Sequence, residues 1–155
     1  LEHSALYDQL TDCKNRKALE WAYTDQLEKY CPLAVAMCDL NGLKEINDQK
    51  GHDAGDKFIV QTAQTLQTVF GKCHVYRLGG DEFTVVLPNI THLEFQKLLE
   101  SAKSQLGDVA SLGTAINDTM DTDFESLLKA ADAEMYENKK QYYIVSGKNR
   151  RKHSL

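Results

Sequence analysis

The sequence of 155 residues is long enough for one domain of ordinary size, and its 42% hydrophobic content can form a buried core. The net charge of −5 argues against nucleic acid or a membrane surface as a partner, because such binders usually carry a basic face. No apolar run approaches the length of a membrane span, and no signal peptide opens the chain. The cysteines show no Cys-x-x-Cys spacing, which predicts reduced thiols and a cytoplasmic location. They are Cys13, Cys31, Cys38 and Cys73.

Helical and strand-like patterns alternate along the chain. Helical patterns cover residues 15–30, 56–70, 91–106 and 123–140. Apolar runs typical of strands cover residues 33–38, 74–78, 83–87, 109–116 and 142–145. The core order βαββαβ predicts an α/β (α+β) fold of the ferredoxin-like type, with an antiparallel central sheet and helices on one face. The last helix and the last strand extend this core, and no linker divides residues 1–155 into more than one domain.

The first predicted strand ends in a carboxylate, Asp39. In a βαββαβ topology the end of this strand lies beside the hairpin that joins the second and third strands, so Asp39 and Asp81 can come close together. Two carboxylates at one edge of a sheet form a site for Mg²⁺ or Mn²⁺, with either one ion or two. Taken alone, Asp39 is more often a strand-end cap or a turn residue.

The predicted hairpin turn combines two glycines with two acids. Gly79 and Gly80 can adopt positive φ and leave no side chain between a ligand's phosphates and the backbone. Asp81 and Glu82 repel each other, and a divalent cation would neutralise that repulsion. The turn therefore predicts a metal and phosphate site. The alternative for an isolated turn of this kind is an ordinary solvated hairpin.

Four short blocks rich in polar residues and glycine are spread over nearly the whole chain. They are Asp8-x-Leu10-Thr11 with Asn15-Arg16, the segment from Asp39 to Asp56, Gly79-Gly80-Asp81-Glu82-Phe83, and Ala131-Asp132-x-x-Met135-Tyr136-x-x-Lys139. Together, and in this order, they resemble the GGDEF domain of bacterial diguanylate cyclases. The resemblance implies a nucleotidyl cyclase or palm-like fold and the Mg²⁺- or Mn²⁺-dependent condensation of two GTP into cyclic di-GMP. It also implies a homodimer, because each domain holds one GTP.

The resemblance assigns metal and catalytic roles to particular residues. Asp39 and Asp81 would ligate the metal together with the carbonyl oxygen of Leu40. Asp81, Glu82 and Lys44 would be catalytic. Glu82 would assist metal binding or deprotonate the attacking hydroxyl, and the division of these tasks between Asp81 and Glu82 stays open. Lys44 would lie against the triphosphate as a compact positive charge, and the alternative for it is a solvated lysine on a helix face.

A second group of residues would bind GTP. Asp56 and Asn47 would read the guanine, because a carboxylate accepts from N1 and N2 and an amide offers both a donor and an acceptor. His52 would border the same pocket, although a loop histidine here is as often only a turn residue. Lys139 would contact phosphate from the last helix. The full implied set is Asn47, His52, Asp56, Gly79, Gly80 and Lys139.

The sequence departs from the family pattern in two places. Phe70 and Cys73 stand where the family has the Arg and Asp of its product-inhibition site, so we expect that site to be absent. Tyr143 stands where a second phosphate-binding Arg is expected, four residues after Lys139. Lys140 or the basic C-terminal tail would have to replace that contact.

Two alternatives to an active cyclase remain. One is a catalytically weak GGDEF domain that binds GTP as a regulatory or interaction module; the presence of all the signature carboxylates and glycines favours the enzyme. The other is a scaffold that binds no nucleotide, which would leave the polar residues of the predicted guanine pocket unexplained.

Residues 1–7 are expected to end an upstream signalling helix that connects to a sensor module, either in a soluble multidomain protein or in the cytoplasmic part of a membrane-bound one. The block from Asp8 to Arg16 would be mainly structural, and Arg77 receives no site role.

Overall fold

The computed structural model describes residues 3–23, 30–118 and 122–147. It contains six α-helices and four β-strands within these ranges. In chain order they are α1 (His3–Leu6), α2 (Arg16–Tyr23), β1 (Leu33–Leu40), α3 (Leu43–Lys50), α4 (His52–Phe70), β2 (Val75–Gly79), β3 (Glu82–Pro88), α5 (His92–Leu106), β4 (Ala110–Asn117) and α6 (Phe124–Val145). Short 3-10 turns precede β2 and β4. No helix in these ranges is both long and apolar enough to cross a membrane.

The strands form one antiparallel sheet in the order β2-β3-β1-β4. This order confirms the predicted α+β class and the antiparallel βαββαβ core. β1 lies between β3 and β4, and its register pairs Asp39 with Glu82 on one side and with Ser111 on the other. The sheet therefore carries the last residues of β1 directly beside the β2–β3 turn.

Helices cover both faces of the sheet because β1 is apolar on both. Ala34 and Ala36 belong to a core cluster with residues of the crossover helices α4 and α5. Val35 and Met37 belong to a second cluster with residues of α2 and α6. The predicted one-sided arrangement holds for the two crossover helices, and the additional helices cover the opposite face. The sheet is thus the middle layer of three.

The close approach of α6 to the sheet depends on Gly113 in β4. A methyl group added there would overlap backbone atoms of Ala131 and Met135 in α6. Because Gly113 has no side chain, α6 lies directly on β4 and also contacts β1. This packing brings Lys139, one turn further along α6, over the end of β1.

The prediction of a last strand at residues 142–145 is wrong. These residues form the last turn of α6, which ends at Val145, and the Ser146 N–H donates to the Tyr142 carbonyl at 2.9 Å. The aromatic and β-branched side chains favour a strand by propensity. No Gly or Pro interrupts the helix before Gly147, however, so the hydrogen-bonded helix simply continues.

Two other helices differ from the prediction. α3 was not predicted; it is set off by Gly42 and Gly51, which have φ of 76° and 88°. α4 begins at His52, four residues before the predicted start, because the turn at Gly51 already ends α3. The first predicted helix is confirmed over α2, and residues 24–29 of that prediction lie outside the described ranges.

Candidate metal and nucleotide site

Three carboxylates meet where β1 ends beside the β2–β3 turn. Asp39, Asp81 and Glu82 each offer one oxygen within 4.8 Å of the others. The backbone fixes this meeting: β1 pairs Asp39 with Glu82, and the Leu40 N–H donates to the Asp81 carbonyl at 3.0 Å. Asp39 is largely buried, whereas Glu82 is exposed. The structure therefore brings together the acids that the sequence singled out.

The electrostatics at Asp39 are unfavourable for a bare carboxylate. Burial raises the pKa of Asp39, the positive charge of Lys139 lowers it and the negative charge of Asp81 raises it, and together they bring the pKa to about 7. Asp39 Oδ1 is buried and has no hydrogen-bond partner among the described residues. A buried carboxylate oxygen without a partner is costly, and a hard divalent cation is the kind of ligand that such oxygens bind. This donor set fits Mg²⁺ or Mn²⁺.

Lys139 lies among the same oxygens. Its Nζ is 3.0 Å from Asp39 Oδ2 and donates to the Leu40 carbonyl at 2.9 Å. The Lys139 side chain is only 9% exposed. The sequence predicted a phosphate contact for this lysine; in the structure its ammonium contacts two of the three predicted metal ligands.

The glycine turn is supported from beneath by Arg77. Gly79 and Gly80 have φ of 149° and 47°, and a methyl group added to either would meet no atom of the described part of the chain within 4 Å. The backbone at the tip is therefore open to a ligand. Arg77 donates to the Gly80 carbonyl through Nε at 3.2 Å and Nη2 at 2.9 Å.

Asp8 holds the other side of Arg77. The Arg77 Nη1 lies 2.9 Å from Asp8 Oδ2 and 3.1 Å from Oδ1. Asp8 also accepts from the Thr11 N–H and hydroxyl at 2.9 and 2.7 Å. Burial raises the pKa of Asp8, but the hydrogen bonds from Thr11 and Arg77 more than offset this and leave it below its usual value. The N-terminal block is thus structural, as the resemblance implied, and it braces the hairpin through Arg77.

The predicted nucleotide residues lie on α3 and α4. Lys44 is exposed in the first turn of α3, and Asn47 is half-buried one turn later. His52 and Asp56 are exposed in the first two turns of α4. The two helices pack against each other across the turn at Gly51, whose N–H donates to the Asn47 carbonyl at 2.9 Å. These polar groups therefore belong to one helix pair, next to the segment that leaves the carboxylate cluster.

Asn41, the residue after Leu40, fixes the start of the segment between β1 and α3, and it is not among the residues predicted for the site. It is buried, its Nδ2 donates to the Asp108 carbonyl at 3.0 Å, and its Oδ1 accepts from the Ser111 hydroxyl at 3.0 Å. It also forms part of a cavity of about 670 Å³ between α5, β4 and α6. The only sequence signal was a polar residue followed by glycine. The Asn41 backbone N–H also donates to the Val109 carbonyl at 2.8 Å, so these hydrogen bonds tie the residue after Leu40 to the start of β4.

Comparisons with known proteins agree with this geometry. The family described as diguanylate cyclase, GGDEF domain, matches residues 5–143. Diguanylate cyclase DgcP of Escherichia coli K12 is 38% identical over an alignment of length 150, and the match covers 86% of this chain and 44% of DgcP. Cyclic di-GMP phosphodiesterase PdeB of Shewanella oneidensis is 35% identical over 107 residues, 68% of this chain and 12% of PdeB.

A solved structure gives the same result. A microbial GGDEF domain, described for its interaction with cyclic di-GMP, superimposes with a TM-score of 0.77 at 32% sequence identity. The superposition covers 90% of this chain and 93% of that domain's chain. The chain spans less than half the length of DgcP and a small part of PdeB. The match over residues 5–143 includes every predicted site residue. This chain belongs to the GGDEF domain family of diguanylate cyclases.

Proposed function

We propose that this domain is a Mg²⁺-dependent diguanylate cyclase, which condenses two GTP into cyclic di-GMP and releases two pyrophosphates. The observation that carries the proposal is the carboxylate cluster of Asp39, Asp81 and Glu82, in which a buried oxygen of Asp39 has no hydrogen-bond partner among the described residues. Metal-dependent nucleotidyl transfer requires carboxylates of this kind beside a phosphate site, because they hold the divalent cation next to the reacting phosphate.

Asp39, Asp81 and the Leu40 carbonyl would hold Mg²⁺ or Mn²⁺. The metal, when bound, lowers the pKa of the attacking 3′ hydroxyl and offsets charge on the departing pyrophosphate. Glu82 is the exposed member of the cluster, so its carboxylate can reach the hydroxyl proton from the solvent side. The bond that forms joins the 3′ oxygen to an α-phosphate, and the bond that breaks releases pyrophosphate.

The triphosphate would lie between the glycine turn and the start of α3. Gly79 and Gly80 leave their backbone accessible, and Lys44 supplies a positive charge from the first turn of α3. Lys139 would exchange its contact with Asp39 for one with phosphate when the metal and the nucleotide arrive. Positioning and these charges, rather than a covalent intermediate, would account for the catalysis.

The guanine would be read by α3 and α4. Asp56 would accept from N1 and N2, Asn47 would use both its donor and its acceptor, and His52 would border the base. Adenine presents a mismatched pattern, and polar sites built for one pattern can reject the other by roughly 10⁴-fold.

Two domains are required for the reaction. Each domain would hold one GTP, and each 3′ hydroxyl would attack the α-phosphate held by the other domain across a two-fold axis. A sensor module would supply that pairing in the whole protein. The domain would act in the cytoplasm, where GTP is available.

A GTP-binding regulatory role is the second candidate. Tyr143 occupies a helical position on α6 where the resemblance places a phosphate-binding Arg. The chain also matches part of PdeB, which is described as a phosphodiesterase. Both observations are compatible with a domain that binds GTP without turning it over.

A product assay separates these functions. A parallel coiled coil fused before Leu1 would hold two copies together, and nucleotide products would be separated by chromatography with Mg²⁺ or with a chelator. Mg²⁺-dependent cyclic di-GMP supports the cyclase. Binding of GTP without product supports the regulatory role, and no binding of GTP contradicts both.

A further inference from the structure

The helix pair α3 and α4 contains one contact that requires a glycine. Gly55 is buried in α4, and a methyl group added to it would overlap Asn47 Oδ1 and lie 2.9 Å from Asn47 Cγ. Backbone hydrogen bonds fix the two residues relative to each other: the Gly51 N–H donates to the Asn47 carbonyl at 2.9 Å, and the Gly55 N–H donates to the Gly51 carbonyl at 3.3 Å. The Asn47 side chain therefore lies against the bare Cα of Gly55.

The backbone gives no other reason for glycine at this position. Gly51, at the turn, has a φ of 88°, which favours glycine. Gly55 lies inside α4 and is not among the residues with positive φ. Glycine inside a helix costs about 1 kcal/mol relative to alanine. The Asn47 amide occupies the space that a side chain at position 55 would fill.

We infer that Gly55 is a positioning residue that sets the orientation of the Asn47 amide and thereby the selectivity for guanine over adenine. The inference rests on the proposed function, in which Asn47 and Asp56 read the base. α4 then contributes two consecutive residues to recognition. Gly55 supports the Asn47 amide from behind, and the exposed Asp56 presents a carboxylate.

The Gly55→Ala variant tests this role. The atom that the new methyl group meets is the end of a side chain, so Asn47 can rotate away while α4 stays helical. We expect GTP to bind roughly tenfold more weakly or worse, because at least one buried hydrogen bond to the base is lost, while ATP binding stays nearly unchanged. The measurement is the thermal shift that GTP or ATP produces with Mg²⁺, followed by titration calorimetry.

The comparison with Asn47→Ala shows whether Gly55 acts through Asn47. If it does, Asn47→Ala and the double variant Asn47→Ala/Gly55→Ala bind GTP equally weakly. In the Asn47→Ala background the clash is absent, so Gly55→Ala should raise the melting temperature of the nucleotide-free protein. Lys57→Ala, an exposed position one residue after Asp56 on α4, is the matched control and should leave both affinities unchanged.

Each outcome has a defined meaning. The inference is overturned if Gly55→Ala leaves the ratio of GTP to ATP affinity unchanged, whether both affinities stay the same or both fall by the same factor. If Gly55→Ala fails to fold, the double variant decides: a melting temperature below that of Asn47→Ala would show a packing role unrelated to Asn47. A wild-type protein that does not prefer GTP contradicts the proposed function, and that measurement comes first.

Discussion

Lys139 and Asp39 form a largely buried ion pair, with Nζ 3.0 Å from Oδ2, at the position where the proposed metal would bind. The same ammonium donates to the carbonyl of Leu40, which is another proposed ligand. The lysine thus supplies the positive charge that the carboxylate needs, and a metal that takes both oxygens has to displace it. In the proposed mechanism this pair would link metal binding to the movement of Lys139 toward the substrate.

Lys139→Met should make this competition visible. Without the ammonium, Asp39 loses its partner, so the metal-free protein should melt several degrees lower. Mn²⁺ or Mg²⁺ alone should then raise its melting temperature more than it raises that of the wild type, because no cation is displaced. Lys129→Met, an exposed lysine on the same helix, is the control. An equal metal-induced shift in Lys139→Met and wild type would contradict the competition.

The raised pKa of Asp39 predicts a pH effect on the metal-free protein. Between its ordinary value of 3.8 and about 7, Asp39 is protonated in the folded state and ionised in the unfolded state. The folded state therefore binds more protons than the unfolded state in this window. As a result, the contribution of Asp39 to the free energy of unfolding falls as pH rises and is constant above about pH 7. Asp39→Asn should remove this part of the slope. Denaturant unfolding from pH 5 to 8 in a chelator measures the difference, and parallel curves for the two proteins would rule it out.

Much of the carboxylate cluster could be predicted from the sequence because its geometry is local or follows from strand order. The Gly79 to Glu82 turn is a contiguous signal, and Asp39 reaches it through the antiparallel pairing of β1 with β3. Lys139 could be placed on the last helix, but its contacts join residues 99 positions apart and depend on how closely α6 packs on the sheet.

Other features could not be predicted because tertiary packing decides them. Arg77 and Asp8 are 69 positions apart in the sequence, and the local pattern around either residue does not predict that the two form an ion pair. The space behind Asn47 depends on the angle between α3 and α4, which periodicity does not report. The strand predicted at residues 142–145 shows the converse error, since local β-propensity yielded to the continuing helix α6.

Loss of a proposed metal ligand should lower turnover strongly without unfolding the protein. Asp81→Ala removes a carboxylate from the turn and no core volume, so turnover should fall by about 100-fold or more. Asp39→Asn is preferable to Asp39→Ala, because it keeps an oxygen near the largely buried Lys139. Product assays and thermal melts on both variants check this, with Asp118→Ala, an exposed carboxylate near the opposite end of β4, as control. Near-normal turnover in either ligand variant would refute the metal assignment.

Cyclic di-GMP should inhibit this domain only weakly. Phe70 is 3% exposed and packs in the core, so position 70 offers no group to a ligand at the surface. The Cys73 side chain has no carboxylate, so it cannot form the charge-assisted hydrogen bond that the Asp of the family site forms. Inhibition should therefore be competitive with GTP at the active site. Initial rates at several GTP and cyclic di-GMP concentrations distinguish the modes. Tight non-competitive inhibition would show that another surface binds the product.

Activity should depend on protein concentration, because in the proposed mechanism each domain would supply one GTP, one metal site and one attacking hydroxyl. Both copies carry a net charge of −5 and a bound triphosphate, so they repel each other as they meet and pairing is weak. Specific activity should rise with concentration and increase sharply when a parallel coiled coil is fused before Leu1, because the fusion raises the effective concentration of one copy at the other. A dilution series combined with sedimentation tests this. Specific activity that stays constant while the protein sediments as a monomer would refute the two-copy mechanism, since a single domain cannot bring a second GTP to its own α-phosphate.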